Sequence, residues 1–393
     1  MAPLPRLPRS SSDDFAPAIV AERRAIAERA AGRVLRHVAG EPVPLGEARG
    51  NVENLIGFAQ VPLGLAGPMV VETSAGQREV YVPMATNEGA MVAGYSRGMR
   101  ICAAGGGARS RVVAEGLTQN PMLVYADASE ALRAAKVASE SLAEFQVLTS
   151  AHSRHGKLAR LETRVVGNRL IVELTFTTAD AIGINMAALA ADRISAELER
   201  RTGARARYVH GQDVEKRANA RALIGGRGRS VVADVTIPRA ALAELARVTP
   251  EQLAAIHAAY AAGFAQLGTQ NWLVQAGNGL AAVLVACGQD VAYLTECSTG
   301  FLDLQVTPAG DLYASATLPS LLVGTVGGGS QKGTAAECLA LLGCAGAGGA
   351  NTFAEILGAT VLAGDLSLMA SFCTHEFTAA HERLGRNRPS DGR

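Results

Sequence analysis

The sequence predicts an α+β protein: a large mixed helical domain, interrupted by a small ferredoxin-like domain and preceded by an N-terminal helical segment. Three observations predict it. Between Ser110 and about Val209 the residue pattern runs strand (111–114), helix (128–142), strand (157–166), strand (169–176), helix (186–201), strand (206–209), the split β-α-β-β-α-β order. On the far side of that block lie Ala- and Leu-rich helical runs at 250–262, 278–287, 334–342 and 353–373. The 393 residues suffice for two or three domains, each with its own core. The expected division is 1–50 for a disordered tail and the N-terminal helical segment, 51–110 with 210–393 for the large domain, and 111–209 for the small one.

Residues 1–14 read as a disordered tail, ended by a Ser12-Asp13 cap signal for a helix through about His37. Ile19, Val20, Ile26, Ala30, Val34, Leu35 and Val38 recur at helical period, and arginines fill the other face. After Pro42 and Pro44 the chain becomes a series of short Gly- and Pro-punctuated segments, including 57–68, the texture of a surface built from loops.

Composition narrows the function. Lys plus Arg total 37 against 36 Asp plus Glu, so no strong field favours nucleic acid or a membrane surface. Aromatic residues make up only 4%, too few for a base-stacking platform, which leaves a small metabolite as the partner. Cys102, Cys287, Cys297, Cys338, Cys344 and Cys373 form no CxxC pair and have no histidine at ligand spacing, so they read as reduced structural thiols with no metal. The amino terminus carries no apolar run of signal-peptide length, and the apolar stretch 353–373 contains Glu355 and Asp365. A buried helix in a cytoplasmic protein is the expectation.

Several segments could carry chemistry. Gly324 to Ser330 follows a strand-like run and precedes a helix-like one, and its three successive glycines leave backbone N–H groups open to an anion or a carbonyl oxygen; a tight turn would need glycines too. Glu88, between a strand end and a helix of small residues, sits where apolar surroundings would raise a carboxyl pKa, or it is an ordinary helix-start acid. Lys216, in the loop 210–217, can polarise a carbonyl and stabilise a developing alkoxide. Asp290 ends the run 278–289, where the helix dipole calls for a cationic partner such as Lys216. Asp180 lies in the turn 177–186 before a helix and also fits a cap, while Arg154 and Lys157 lie in a basic loop able to hold a phosphate monoester. His381, on an amphipathic C-terminal tail, can exchange a proton near neutrality.

Read in order, these segments resemble the 3-hydroxy-3-methylglutaryl-CoA reductase family, in particular its class I catalytic domain. The matching stretches are Glu53-Asn54-Leu55-Ile56-Gly57, 62–68, 83–89, 180–186, 225–232, Cys287-Gly288-Gln289-Asp290, 318–329 and 362–370, without reordering. The resemblance implies a large domain that binds an acyl-CoA thioester, an inserted nucleotide-binding domain, and reduction of the thioester by two NADPH to an alcohol and free CoA. Carried over by position, Glu88 would donate a proton to the aldehyde-level intermediate and Lys216 would polarise the carbonyl. Asp290 would tune both, and His381 would protonate the departing thiolate. Asp180, Gly183, Ile184, Asn185 and Met186 fall on the dinucleotide segment, with Gly327, Gly328, Gly329 and Ser330 closing over it. Arg154 or Lys157 resembles the group that grips the 2′-phosphate, which favours NADPH over NADH. Arg97 matches a CoA phosphate contact, Arg111 a contact near the substrate hydroxyl and carboxylate, and Glu215 and Arg217 flank the lysine in the substrate loop. The resemblance also implies a homodimer or higher homo-oligomer with shared active sites.

The departures concern the acyl group. The family loop Ser-Gly-Asn-Tyr-Cys-Thr-Asp-Lys-Lys is one residue shorter here, over 210–217. Ala258 stands where a lysine pairs with the distal carboxylate, and Gln275 where a histidine is usual. Gly94 and Ser96 replace polar residues on the CoA side. The first expectation is therefore reduction of 3-hydroxy-3-methylglutaryl-CoA to mevalonate, and the alternative is a paralogue acting on another CoA or carrier-protein thioester. A catalytically silent binding protein is a third reading, disfavoured by the intact set Glu88, Lys216, Asp290 and His381.

Overall fold

Two sheets share one long strand, and the site lies beside that junction. The computed structural model describes residues 3–10, 13–210 and 214–374. In chain order the elements are α1 (Pro17–Ala31), a 3-10 turn (Leu45–Ala48), the antiparallel pair β1 (Leu63–Thr73) and β2 (Gly76–Ala85), α2 (Met91–Ala104) and β3 (Ala108–Gln119). Then come β4 (Met122–Val124), α3 (Ala128–Glu140), α4 (Leu142–Ser150), β5 (Lys157–Val166), β6 (Arg169–Thr177), α5 (Ile184–Thr202) and β7 (Ala206–Tyr208). The remainder is α6 (Ala220–Ile224), β8 (Gly228–Ile237), α7 (Arg239–Ala246), α8 (Pro250–Gln266) and α9 (Ala276–Ala286), followed by a 3-10 turn (Val291–Tyr293) and α10 (Leu294–Cys297). The chain closes through β9 (Phe301–Val306), β10 (Leu312–Leu321), α11 (Gly333–Leu341) and α12 (Ala350–Cys373).

The larger sheet runs β2-β1-β3-β8-β10-β9, and the smaller runs β7-β4-β6-β5. β3 belongs to both. Its residues 109–116 pair with β8, while Leu117, Thr118 and Gln119 pair with β6. The expected boundary at residue 111 thus falls inside a strand, and the first strand of the split unit is β4 rather than 111–114. The helical run expected as 128–142 breaks at Ser141 into α3 and α4, because the Ser141 hydroxyl bonds back to the Val137 carbonyl and competes with the helix ladder.

α1 also differs from expectation. Pro17 fixes its first turn, and Gly32 ends it in the left-handed conformation at φ 63°, so the helix stops well short of His37. Ser12 lies outside the described residues. Residues 3–10, expected as a tail, are tied to the domain: the Leu4 N–H donates to Glu79 at 2.6 Å, the Tyr81 hydroxyl donates to the Pro5 carbonyl, and Arg23 donates to the Pro8 carbonyl at 2.8 Å. Proline carbonyls accept without any periodic pattern, which is why composition alone suggested a tail.

α12 is the central helix. Among the described residues it alone is long and apolar enough to cross a membrane, yet 83% of that apolar window is buried inside the protein. It packs on α2, α9, β3, β8 and β10. Its acids are internal: Glu355 accepts the Val112 and Ser74 N–H groups, and Asp365 accepts those of Val274 and Gln275 at the start of α9. Burial pushes the Asp365 carboxyl up to about 7 despite those two N–H donors.

That shift sets a pH dependence. The folded chain retains a proton on Asp365 that the unfolded chain, titrating near 3.8, has released, so stability from this group falls as pH rises from about 4 to about 7. A thermal melting series between pH 5 and 8 should show Tm falling by several degrees. Asp365→Asn should flatten that slope, and an undiminished slope in the variant would contradict the assignment.

Candidate active site

The loop that carries Lys216 is held from four directions. Asn219 caps α6, its side chain accepting the Ala222 N–H at 2.8 Å. Arg221 of α6 donates to Glu173, a carboxylate buried in β6 that also faces Arg164 at 3.5 Å. Glu215 accepts the Tyr293 hydroxyl at 2.7 Å and lies 3.4 Å from both Gln119 Nε2 and Arg227 Nη2. Lys216 itself adopts a left-handed backbone at φ 56°, uncommon for a non-glycine residue, and its N–H donates to Glu296 Oε1 at 2.9 Å.

Beneath the loop lies a buried ion pair. Arg227 is 3% exposed and Glu296 is 0% exposed; Arg227 Nη1 reaches the two Glu296 oxygens at 3.1 and 3.2 Å, and its Nε donates to the Thr118 carbonyl at 3.2 Å. Burial outweighs the arginine and raises the Glu296 carboxyl above its ordinary value.

Above this foundation the Lys216 Nζ meets Asp290 Oδ2 at 2.6 Å, on a half-exposed face, and stands 4.8 Å from the centre of the Tyr293 ring. Asp290 does not sit at a helix end where the dipole opposes it. α9 stops at Ala286, and Asp290 is the N-cap of the following 3-10 turn, its Oδ1 accepting the Ala292 N–H at 3.0 Å. Its charge therefore faces a positive dipole end as well as the ammonium.

Glu88 lies elsewhere. It follows β2, is exposed rather than set in an apolar pocket, and both its oxygens accept from Asn278 Nδ2, at 3.0 and 3.1 Å. Asn278 is in the first turn of α9, and Asp290 lies four residues past its end; at 1.5 Å per residue those eleven helical residues span about 16 Å. Glu88 and the Lys216–Asp290 pair thus stand at opposite ends of α9 within one chain. His381 lies outside the described residues, as do Gly211, Gln212 and Asp213 of the loop.

The glycine turn 324–330 joins two of the predicted segments. A Cβ on Gly324 would come within 2.8 Å of the Ile182 nitrogen and 2.9 Å of the Asp180 oxygen, so only glycine lets the turn press onto 180–182. The Gly324 N–H donates to Gln289 Oε1 at 2.9 Å, which places the turn directly against the residue before Asp290. Gly327 and Gly328 have positive φ, no heavy atom lies within 4 Å of where their Cβ atoms would stand, and Ser330 Oγ donates to the Gly327 carbonyl. Asp180 spends both carboxylate oxygens on backbone, accepting the N–H groups of Gly348 at 2.8 Å and Ala350 at 3.1 Å at the start of α12. Gly183 caps α5, where a Cβ would meet Thr178 at 2.4 Å, and Ile184, Asn185 and Met186 form that helix's first turn.

A cavity opens between α4 and α5, lined by Leu148, Thr149, His152, Ser153, Met186 and Arg193 among others. Among the described residues, the Arg193 Nη1 is buried there without a hydrogen-bond partner, and no acid lines the space. A cationic nitrogen in that state suits an anion. Arg154 lies exposed on the loop just beyond, and Lys157, expected in that loop, is exposed at the first position of β5. Arg97 is committed to Ser367 of α12, donating to its hydroxyl and its carbonyl, and Arg111 is paired with Glu72 at 2.5 Å. Arg217 is exposed beside Lys216, and Ala258 is exposed on α8.

Sequence reasoning passed over Asn278, Tyr293, Arg227 and Glu296 as site residues. The signal for two of them was available: Asp290, Tyr293 and Glu296 recur at intervals of three, the period of a 3-10 turn. Asn278 and Arg227 carry no such local mark.

The comparisons with known proteins agree on one family. The family model described as hydroxymethylglutaryl-coenzyme A reductase matches residues 19–386. The 3-hydroxy-3-methylglutaryl-coenzyme A reductase of Pyrococcus abyssi is 37% identical over 374 residues, covering 93% of this chain and 92% of that one. The enzyme of the same name from Methanothermobacter thermautotrophicus is 36% identical over 368 residues, with 93% and 92% covered. The fold is also that of the class II reductase of Streptococcus pneumoniae, solved bound to NADPH in open conformations, at a TM-score of 0.74 and 20% identity over 92% of this chain and 98% of that one.

Removing one partner of a buried ion pair leaves the other charge stranded. Glu296→Gln should lower the unfolding free energy by about 3 kcal/mol in urea melts. A loss below about 1 kcal/mol would show that Arg227 finds other compensation.

Proposed function

The chain belongs to the hydroxymethylglutaryl-coenzyme A reductase family, and we propose that it reduces 3-hydroxy-3-methylglutaryl-CoA to mevalonate and free CoA, consuming two NADPH and two protons. The observation that carries this reading is the Lys216 ammonium held by Asp290 at 2.6 Å, beside the segment that bears the glycine turn. Lys216 polarises the thioester carbonyl and then stabilises the oxyanion, with Asp290 fixing the ammonium's position. Glu88, oriented by Asn278, supplies the proton to the aldehyde-level oxygen, and His381 protonates the departing thiolate. NADPH supplies the hydride in each of the two reduction steps.

For the dinucleotide, the first turn of α5, Gly183 to Met186, and the glycine turn Gly327 to Ser330, open over Gly327 and Gly328, follow the segments that meet at Asp180 and Gly324. Asp180 acts in this reading by holding its segment, since its oxygens are occupied by backbone. The unpartnered Arg193 nitrogen fits the 2′-phosphate, with Arg154 and Lys157 adding charge at the rim. The small domain, expected over 111–209 and built here from β4 to β7, is the nucleotide-binding one, and the larger sheet with its helices binds the acyl-CoA through groups that include Arg97, Arg111, Glu215 and Arg217. The reaction belongs in the cytoplasm, in keeping with six unpaired cysteines.

The split along α9 implies that the site is completed by a second copy, one protomer presenting Glu88 and its partner presenting the lysine and aspartate. An exposed apolar ribbon supports such an interface: Val52, Ile56, Phe58 and Val61 are 55, 103, 49 and 39% exposed in the single chain. A second reading, reduction of a thioester without a distal carboxylate, is favoured by Ala258.

NADPH oxidation followed at 340 nm should show two equivalents consumed per 3-hydroxy-3-methylglutaryl-CoA, and Lys216→Ala should lower the rate by about 10²- to 10³-fold. Well-folded protein with no turnover sinks the reading, and turnover confined to thioesters lacking the carboxylate transfers it to the second. Arg193→Ala should weaken NADPH binding about tenfold in a fluorescence titration while leaving NADH unaffected; equal losses for both would remove Arg193 from the phosphate site.

A further inference from the structure

The turn after α9 places Asp290, Tyr293 and Glu296 three residues apart, so their side chains stack along one edge. Each grips a different part of the same dipeptide. Asp290 takes the Lys216 ammonium, Glu296 takes the Lys216 N–H, and Tyr293 touches both residues: its ring faces the Lys216 Nζ at 4.8 Å while its hydroxyl donates to Glu215 Oε1 at 2.7 Å. Tyr293 is 3% exposed, so its ring is a fixed surface rather than a mobile flap. Burial, with the Glu215 carboxylate beside it, pushes the phenol well above its ordinary value, and the hydroxyl remains a donor throughout the working range.

We propose that Tyr293 is a positioning residue for the reduction, holding the Lys216 ammonium against its ring face while its hydroxyl fixes Glu215 for the acyl group. The proposal rests on the reductase reading given above. Asp290 alone leaves the ammonium free to swing about one carboxylate oxygen. A ring face adds a second, non-directional attraction that persists when the Asp290 ion pair is shared with the substrate oxyanion. The hydroxyl contact couples that placement to the neighbouring carboxylate, so one side chain sets both the electrophile and a substrate contact.

Two substitutions separate the two functions. Tyr293→Phe keeps the ring and loses the Glu215 bond: kcat should stay within about twofold while KM for the acyl-CoA rises about tenfold. Tyr293→Leu loses both, and kcat should fall about tenfold as well, with NADPH affinity unchanged. Partial restoration of kcat by phenylalanine relative to leucine is a result that mere loss of packing near Glu215 does not give. A leucine variant with wild-type kcat, or equal kcat losses in both variants, overturns the proposal.

A chemical readout stands apart from turnover. Acetylation of Lys216 by an N-hydroxysuccinimide ester, followed by mass spectrometry, should be severalfold faster in Tyr293→Leu than in the unaltered chain and nearly unchanged in Tyr293→Phe. Unchanged Lys216 reactivity in the leucine variant overturns the positioning role. Inactive wild-type protein with the expected reactivity pattern would instead fault the substrate assignment and leave Tyr293 in place.

Discussion

The Arg227–Glu296 pair is the constraint on which the site depends. Both side chains are out of water, so losing Arg227 strands the Glu296 charge and losing Glu296 leaves Arg227 only the 3.4 Å contact to Glu215. Both are pinned further: Arg227 by the Thr118 carbonyl on the strand shared between the sheets, Glu296 by the backbone N–H of Lys216. This pair therefore joins the sheet junction to the loop and to the turn that carries Asp290 and Tyr293. The left-handed backbone of Lys216 is tolerated because its N–H has a fixed, charged acceptor. Loss of that acceptor would release the loop from its buried anchor.

A second set of carboxylates, bonded to backbone N–H groups, organises the other side of the molecule around α12. Asp365 holds the start of α9, where Asn278 orients Glu88, and Asp180 reaches the start of α12 from the smaller sheet. Gln289 then ties the glycine turn to the residue before Asp290. Each catalytic candidate on the described residues is thus placed by a polar side chain bonded to backbone, and the helices transmit those placements. Core packing supplies rigidity, but the aim of each group comes from these few bonds.

Much of this was legible in the sequence where a residue's chemistry is local. The glycines of 324–330 announce a bare turn, and the split strand-helix order announces the smaller sheet, because periodicity and φ requirements act over a few residues. Legibility ended where placement depends on distant partners. Asp290 reads as the end of α9, yet the helix caps at Cys287, Gly288 turns left-handed, and Asp290 opens a new turn as its cap. Glu88 reads as an acid in small-residue surroundings, yet it faces outward toward Asn278, 190 residues away in sequence. Met122 to Val124 is too short to announce a strand, and the pairing of Arg227 with Glu296 spans 69 residues with no pattern to mark it. Ala258 and the shortened loop were legible as departures from the family pattern.

The geometry leaves Glu88 and Lys216 at opposite ends of one helix, and the central claim is that a second copy brings them together. Co-expression of Glu88→Gln and Lys216→Ala chains, each inactive alone, tests it directly. In a two-fold arrangement each mixed pair holds one site with both changes and one intact, so random mixing should restore about a quarter of wild-type NADPH oxidation. Mixed oligomers verified by mass and showing no activity above either parent would contradict the claim and place the whole catalytic set within one chain.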